Sequence, residues 1–159
     1  MAKSEEKHTP IRRSVHVDCD IEDAFRLFTE QFAAWWPLAS NSVAGEESES
    51  CTIEPWTGGR VLERTRSGAE HEWGSVIAWD PPRRVEFTWH PGAARDDRQT
   101  VNVDFRVEAD GTRVTLTHSG WQLAAMTNCS LQGGSAPPWQ SILQGCFAVF
   151  VAEQVLVAV

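Results

Sequence analysis

The chain has 159 residues, of which 42% are hydrophobic and 23% are charged, a composition typical of one globular domain with a hydrophobic core. A formal net charge of −8 argues against nucleic acid or an anionic membrane as the main partner. Four cysteines without metal-type spacing, a polar N-terminus and the lack of any run of ~20 apolar residues predict a cytoplasmic protein with no membrane span, metal or other cofactor.

The N-terminal part predicts a tail, a strand and an interrupted helix. Residues 1–10 are polar and are expected to form a disordered tail before a single domain over residues 11–159. Alternation over residues 11–18 predicts the first strand. Asp20 is a favourable N-cap, and apolar residues at helical spacing predict a helix over about 21–35 that is divided into two short pieces.

Six further strands are expected after a loop. The stretch 38–50 is rich in Ser and Glu and is expected to be an exposed loop or a lid. Asp110-Gly111 is the strongest hairpin signal in the chain. Consecutive strands with tight turns form an antiparallel meander, which twist will curve. The strands are predicted at residues 51–54, 59–66, 73–79, 85–89, 100–107 and 112–118.

One hairpin of this sheet, built around a Pro-Pro turn, is expected to be unusually apolar. Trp73, Ile77 and Trp79 share one phase of its first strand, and Phe87 and Trp89 share one phase of its second. Such large rings need a wide surface to face. We therefore expect a helix on the other side of a gap, with the gap as the functional feature.

The last predicted element is a long helix over about residues 136–155. Its apolar residues recur at helical spacing and form a single face: Trp139, Ile142, Leu143, Cys146, Phe147 and Phe150. This face is the natural cover for the concave side of the sheet. The predicted fold class is α+β, a seven-stranded curved antiparallel sheet wrapped around a long C-terminal helix, with two short helices between strands 1 and 2.

Over about residues 11–155 the chain resembles a known family. The motifs that carry the resemblance occur in the family's order and include Trp35-Trp36-Pro37, Trp73-Gly74-Ser75-Val76, Trp79-Asp80-Pro81-Pro82, Gly111-Thr112-Arg113-Val114 and Leu116-Thr117-His118-Ser119-Gly120-Trp121. The chain is similar to the activator-of-Hsp90-ATPase-homologue (AHSA1-like) group of the START/Bet v 1 superfamily, also called SRPBCC or polyketide cyclase-like. The resemblance implies a helix-grip fold.

The resemblance also implies three classes of function. Superfamily members bind lipids, sterols, hormones or polyketides between sheet and helix, so an apolar or amphipathic small molecule is the first partner that it implies. Some members are cyclases, aromatases or hydrolases. The prototype of the group is a co-chaperone of Hsp90, a role that depends on an additional N-terminal domain, whereas ten residues precede the first predicted strand here.

Two residues are candidates for catalysis in the predicted cavity. His118 shares its strand phase with apolar neighbours, so its ring is expected on the concave side as a general base or a ligand anchor. The alternative is a structural histidine that is bonded to backbone near Trp121. Glu63 is a candidate buried acid, and its alternative is a carboxylate paired with Arg64 or Arg84.

Large apolar side chains are expected either to line a pocket or to pack as plain core. Trp35 and Trp36 are expected to fasten the first helices to the sheet. The apolar C-terminus is a candidate surface for a homodimer. The predicted ligand-binding set is Trp73, Trp89, Phe105, His118, Trp121, Trp139, Leu143 and Phe147.

Overall fold

Seven antiparallel strands form one sheet with the spatial order β1-β7-β6-β5-β4-β3-β2. The computed structural model describes residues 9–91, 98–120 and 137–158. Residues 1–8 of the expected tail, and Trp121 with the residues around it, lie outside that range. The strands are β1 Ile11–Val17, β2 Ser48–Ile53, β3 Arg60–Thr65, β4 Glu70–Asp80, β5 Arg84–Thr88, β6 Thr100–Glu108 and β7 Gly111–Ser119.

The helices are two short ones between β1 and β2 and a long one at the C-terminus, which confirms the predicted helix-grip arrangement. Helices α1 (Ile21–Thr29) and α2 (Phe32–Trp35) result from the predicted division of the first helix. Helix α3 comprises an α-helical turn Trp139–Ile142, a π-helical segment Leu143–Phe147 and an α-helical part Ala148–Ala158. None of the helices in the described ranges is long and apolar enough to cross a membrane.

Helix α1 closes one end of the sheet. The Asp20 side chain caps the helix by accepting a hydrogen bond from the backbone N–H of Asp23 at 2.8 Å, as its position in the sequence predicts. The ring of Phe28 lies against Phe105 of β6, with centroids 5.7 Å apart, and against Phe147 of α3 at 5.1 Å. Helix α1 is therefore packed against both the sheet and α3.

The π-helical segment changes which residues of α3 face the core. The predicted face included Phe150, but Phe150 is only half-buried, whereas the next residue, Val151, is 1% exposed. A π turn holds one residue more than an α turn, so everything after it is shifted along the helix surface. Leu143, Phe147 and Val151 consequently share the buried face.

A β-bulge corrects the predicted phase of the apolar hairpin. Glu72 and Gly74 of β4 pair with adjacent residues of β3, so Trp73 is an extra residue of β4. This bulge reverses the alternation, so Val76 is buried and Ile77 is 42% exposed, although Ile77 was predicted to share a face with Trp73. The three tryptophans of the hairpin remain buried or partly buried.

The hairpin between β6 and β7 forms near the predicted place for a different reason. Its turn residues are Ala109 and Asp110, with Ala109 at φ +49°, and Gly111 is already paired with Glu108. A Cβ on Gly111 would lie 2.1 Å from the carbonyl oxygen of Val17. Gly111 is thus required by the close approach of β1, and not by the turn.

The Ser- and Glu-rich stretch is shorter and more ordered than an exposed loop. Its acidic part forms a 3-10 turn, Gly45–Glu47, and β2 begins at Ser48, three residues before the predicted start. Asn41, Ser42 and Gly45 are buried, while Glu46 and Glu47 are exposed. The stretch therefore presents its carboxylates to solvent and packs its other face against the domain.

Candidate functional site

Four tryptophans from four parts of the chain meet between the sheet and α3, and we call Trp36, Trp73, Trp89 and Trp139 the aromatic cluster. Trp36 follows α2, Trp73 lies on β4, Trp89 follows β5 and Trp139 begins α3. The ring centroids of Trp73 and Trp89 are 5.8 Å apart, and those of Trp89 and Trp139 are 5.5 Å apart. All four side chains are at most 5% exposed, so the rings contact one another in the interior.

Trp36 is the central member of the aromatic cluster, and sequence reasoning missed this role. Its centroid lies 5.5 Å from Trp73, 6.2 Å from Trp89 and 5.7 Å from Trp139. The expectation that it fastens the helices to the sheet is compatible with this position but incomplete. Its indole N–H donates to the Asn41 carbonyl at 2.7 Å. Only the long-range packing of α2 against β4 reveals that this ring reaches the middle of the interior.

The other predicted pocket residues lie around the aromatic cluster. Leu143 and Phe147 are fully buried on α3, and the Phe147 ring contacts Trp35 with centroids 5.0 Å apart. Phe105 is 4% exposed and belongs to the α1 end of the interior, where it contacts Phe25 at 5.1 Å. The described part of the predicted set therefore lines one continuous interior, and Trp121 lies outside the described residues.

Glu63 is a fully buried carboxylate that is held by three hydrogen-bond donors. Its Oε1 accepts from the backbone N–H of Val43 at 2.6 Å and from the Trp73 indole N–H at 2.7 Å. Its Oε2 accepts from the backbone N–H of Ala44 at 3.1 Å. Charge-assisted bonds of this kind offset the cost of burying a carboxylate. Glu63 thus joins the 38–50 stretch to the aromatic cluster.

The expected arginine partners of Glu63 are bonded elsewhere. Arg64 donates to Glu70 at 2.8 Å on the exposed side of the sheet. Arg84 donates to Asn102 at 2.6 Å and to Glu86. Neighbouring strand residues point to opposite faces, so Arg64 lies on the wrong face to reach Glu63. Backbone N–H groups bind Glu63 in place of the expected arginines, and the sequence does not indicate which backbone groups these are.

His118 is the second buried polar group of the interior, at the Trp89 and Trp139 side. The Trp139 indole N–H donates to Nδ1 at 3.0 Å. Because an indole nitrogen is only a donor, Nδ1 is unprotonated, so the proton is on Nε2 and is donated to Gln99 Oε1 at 2.6 Å. Burial lowers the pKa of His118 from 6.5 to about 4. His118 is therefore neutral at physiological pH.

The partners of His118 differ from the expected backbone contacts near Trp121. Gln99 was not singled out by sequence reasoning. A signal for it does exist, because Gln99 shares its phase with Val101 and Val103 and so points inward one step before β6 begins.

These geometries limit the acid–base chemistry of the two predicted catalytic residues. Both nitrogens of His118 are hydrogen-bonded, and a base whose conjugate acid has a pKa near 4 accepts protons weakly at neutral pH. Both oxygens of Glu63 accept bonds from groups that hold the fold in place. The arrangement is suited to orienting a polar group of a ligand better than to transferring a proton.

The cysteines and acidic residues form no metal cluster in the described part of the chain. Within residues 9–91, 98–120 and 137–158, no group of three or more His, Cys, Asp or Glu side chains could hold a metal ion. Cys19, Cys51 and Cys146 are free thiols. Burial raises the pKa of Cys51 and raises that of Cys19 to about 11, so neither is an activated nucleophile.

Comparison with protein families gives one match over most of the chain. The sequence profile of the family described as "Activator of Hsp90 ATPase homolog 1-like protein" matches residues 18–144. That range includes Trp36, Glu63, Trp73, Trp89, His118 and Trp139. A comparison with curated proteins gave no match.

The solved structures that share the fold include the following three. The anthrahydroquino-gamma-pyrone synthase Txn09 is 33% identical, with 74% of this chain and 80% of Txn09 covered and a TM-score of 0.53. The self-sacrificing resistance protein CalC from Micromonospora echinospora is 25% identical, with 93% and 97% covered and a TM-score of 0.63. An AHSA1-like protein from Aeromonas hydrophila is 21% identical, with 93% and 95% covered and a TM-score of 0.62.

Proposed function

The chain belongs to the AHSA1-like family, and from this premise we propose that it binds a planar, largely apolar small molecule between its sheet and α3. The observation that carries the proposal is the aromatic cluster, in which the indole ring of Trp36 contacts three indole rings from separate elements in the interior. Stacking against flat rings favours a flat ligand, and burial of its apolar surface provides the affinity.

Polar groups at two sides of the aromatic cluster supply orientation. Glu63 contacts Trp73 on one side, and His118 contacts Trp139 on the other. A ligand with a hydroxyl or carbonyl at its rim would exchange one of these indole contacts for its own hydrogen bond. Pockets that are mostly apolar and contain a few fixed polar groups are typical small-molecule sites.

The likeness to Txn09 supports a polycyclic ligand. Txn09 is a synthase of an anthrahydroquino-gamma-pyrone, and the chain covers 80% of it at 33% identity. A fused-ring aromatic compound about the size of an anthrahydroquino-gamma-pyrone is the ligand class that matches both the likeness to Txn09 and the aromatic cluster. We also propose a reducing, cytoplasmic location, which the three free thiols support.

A binding titration with 1,8-dihydroxyanthraquinone tests the proposal. Native mass spectrometry should detect a 1:1 complex, and calorimetry should give its Kd. Trp36→Phe removes the wide ring at the centre and should weaken binding by about three- to tenfold, the loss of one aromatic pair. Trp56→Phe is the matched control, because Trp56 is 53% exposed and lies outside the aromatic cluster.

The mixtures of protein and ligand that are prepared for the binding titration also distinguish binding from catalysis. A cyclase- or hydrolase-type activity is the second candidate function, supported by the likeness to Txn09. It requires Trp139 to move so that Nδ1 of His118 is freed for the ligand. Liquid chromatography of the incubated ligand would then reveal a product. Absence of a 1:1 complex with this and related fused-ring compounds would rule out both functions.

A further inference from the structure

A second candidate site lies on the outer face of the sheet, away from the aromatic cluster. The structure contains a groove of about 730 Å³ there. Most of its strand residues, among them Asp104, Arg106 and Thr115, occupy the outward phase, which alternates with buried Val103 and Val114. Five of the chain's arginines line the groove: Arg12, Arg83, Arg84, Arg106 and Arg113. The chain as a whole carries a charge of −8, so a general basic composition does not account for this concentration.

Two of these arginines have their charge compensated by neighbours. Arg84 donates to Asn102 and contacts Glu86. Arg113 donates from Nε to both carboxylate oxygens of Glu108 at 3.1 Å, and this pairing lowers the pKa of Glu108. Their positions are therefore explained by contacts within the sheet.

Arg83 and Arg106 have no such compensation. Neither side chain forms an ion pair or a hydrogen bond with any residue in the described part of the chain. Arg106 stands directly opposite Arg113 in the β6–β7 ladder, but the carboxylate of Glu108 is already bonded to Arg113. The backbone N–H of Phe105 donates to the Arg83 carbonyl at 2.8 Å, which holds Arg83 beside Arg106. An anion bound here would compensate the charges of Arg83 and Arg106.

We propose that the groove binds a phosphate ester with a small apolar group, and that Arg83 and Arg106 hold its phosphate. Guanidinium groups match phosphate oxygens in paired hydrogen bonds, and several together favour a doubly charged anion over a carboxylate. Val107, 67% exposed, and Ile21 border the groove and offer an apolar surface to the rest of the ligand.

The acidic residues of the groove restrict where the phosphate can lie. Asp80 and Asp104 line its middle, near Arg84, and would repel an anion. Arg106 lies two residues beyond Asp104 on β6, next to Arg113 on the neighbouring strand. Arg106 and the neighbouring Arg83 therefore form the region of the groove best suited to a phosphate.

Thermal unfolding at low salt tests the proposal with phenyl phosphate as the ligand. Phenyl phosphate should raise the Tm of the wild type, inorganic phosphate should raise it less, and benzoate and phenol should leave it unchanged. Arg106→Gln should weaken the Kd for phenyl phosphate by about tenfold or more, the loss of a charge-assisted contact. Arg66→Gln is the control, because Arg66 is exposed and lies outside this groove.

A stability readout distinguishes a binding role from a structural one. Without ligand, Arg106→Gln should unfold at the same or a higher temperature than the wild type, since the Arg106 side chain forms no ion pair or hydrogen bond among the described residues that the substitution would remove. A lower Tm without ligand, an unchanged response to phenyl phosphate or no response of the wild type would overturn the proposal. An equal response to benzoate would overturn the choice of phosphate. Trp36→Phe should respond like the wild type, so failure of the interior ligand is a separate result.

Discussion

Replacement of Glu63 by Gln should loosen the 38–50 stretch and destabilise the domain. The amide can keep its oxygen at the position of Oε1, which accepts from Val43 and Trp73. Its NH₂ group must then face the N–H of Ala44, so one bond is lost and two donors oppose each other. A hydrogen bond to a charged group contributes about 1.5–3 kcal/mol, and an unsatisfied buried donor costs about 1–3 kcal/mol. We expect the free energy of unfolding to fall by about 3 kcal/mol.

Urea denaturation and hydrogen exchange together check this expectation. The urea midpoint should fall without a change in slope, and the amides of Val43 and Ala44 should exchange faster than in the wild type. Glu49→Gln is the matched control, because Glu49 is exposed on β2, and it should change the free energy of unfolding by less than about 0.5 kcal/mol. If Glu63→Gln is as stable as the control, or if it is unstable while both amides stay protected, the assigned role of Glu63 is wrong.

Two further predictions concern His118 and two glycines. The pKa of His118 is about 4 in the native state and 6.5 when exposed, so the unfolded chain binds one proton more between these values. The free energy of unfolding should therefore fall by up to about 3 kcal/mol from pH 6.5 to pH 4. Urea titrations across this pH range should show a smaller fall for His118→Gln than for the wild type. An equal fall in both proteins would contradict the lowered pKa assigned to His118. Gly111→Ala should cost about 2 kcal/mol, since its Cβ would lie 2.1 Å from the Val17 carbonyl oxygen. Gly145→Ala adds a Cβ that meets nothing within 4 Å among the described residues, so its free energy of unfolding should rise by about 0.5–1 kcal/mol. Calorimetry should give Gly145→Ala a higher Tm than Gly111→Ala, and the reverse order would refute the steric argument.

Local patterns were sufficient to predict the elements and their order. The alternation of Val101, Val103 and Phe105 follows directly from the pleat of a strand with one buried face. Asp20 caps α1 because a short acceptor side chain before a helix satisfies a free N–H group. These features depend on residues a few positions apart, so a sequence contains them.

The errors arose where distant segments or an extra residue decide the geometry. A bulge at Trp73 turned Ile77 outward, and the π segment exchanged Phe150 for Val151 on the buried face of α3. Neither feature follows from hydrophobic spacing, because the same residues fit a regular strand or helix equally well. They result from the packing of the whole interior.

The sequence predicted most residues of the candidate site but not the contacts that these residues make. Seven members of the predicted pocket set lie in the interior, but the central ring, Trp36, was assigned a supporting role. The partners of Glu63 and His118 come from a loop backbone, from Gln99 and from indole N–H groups. Long-range partners of this kind depend on the folded chain and leave little trace in local spacing.

The π-helical segment determines how the C-terminal part of α3 is rotated about the helix axis relative to the first turn of the helix. If the same residues formed a regular α-helix from Leu143 to Phe147, Trp139 would stay in place. Every later side chain would then turn by about 100°, the angle of one residue in an α-helix, and Val151 would leave the core. The orientation of the C-terminal half is thus set by the number of residues in one turn, while the tryptophan that begins the helix is positioned by the sheet.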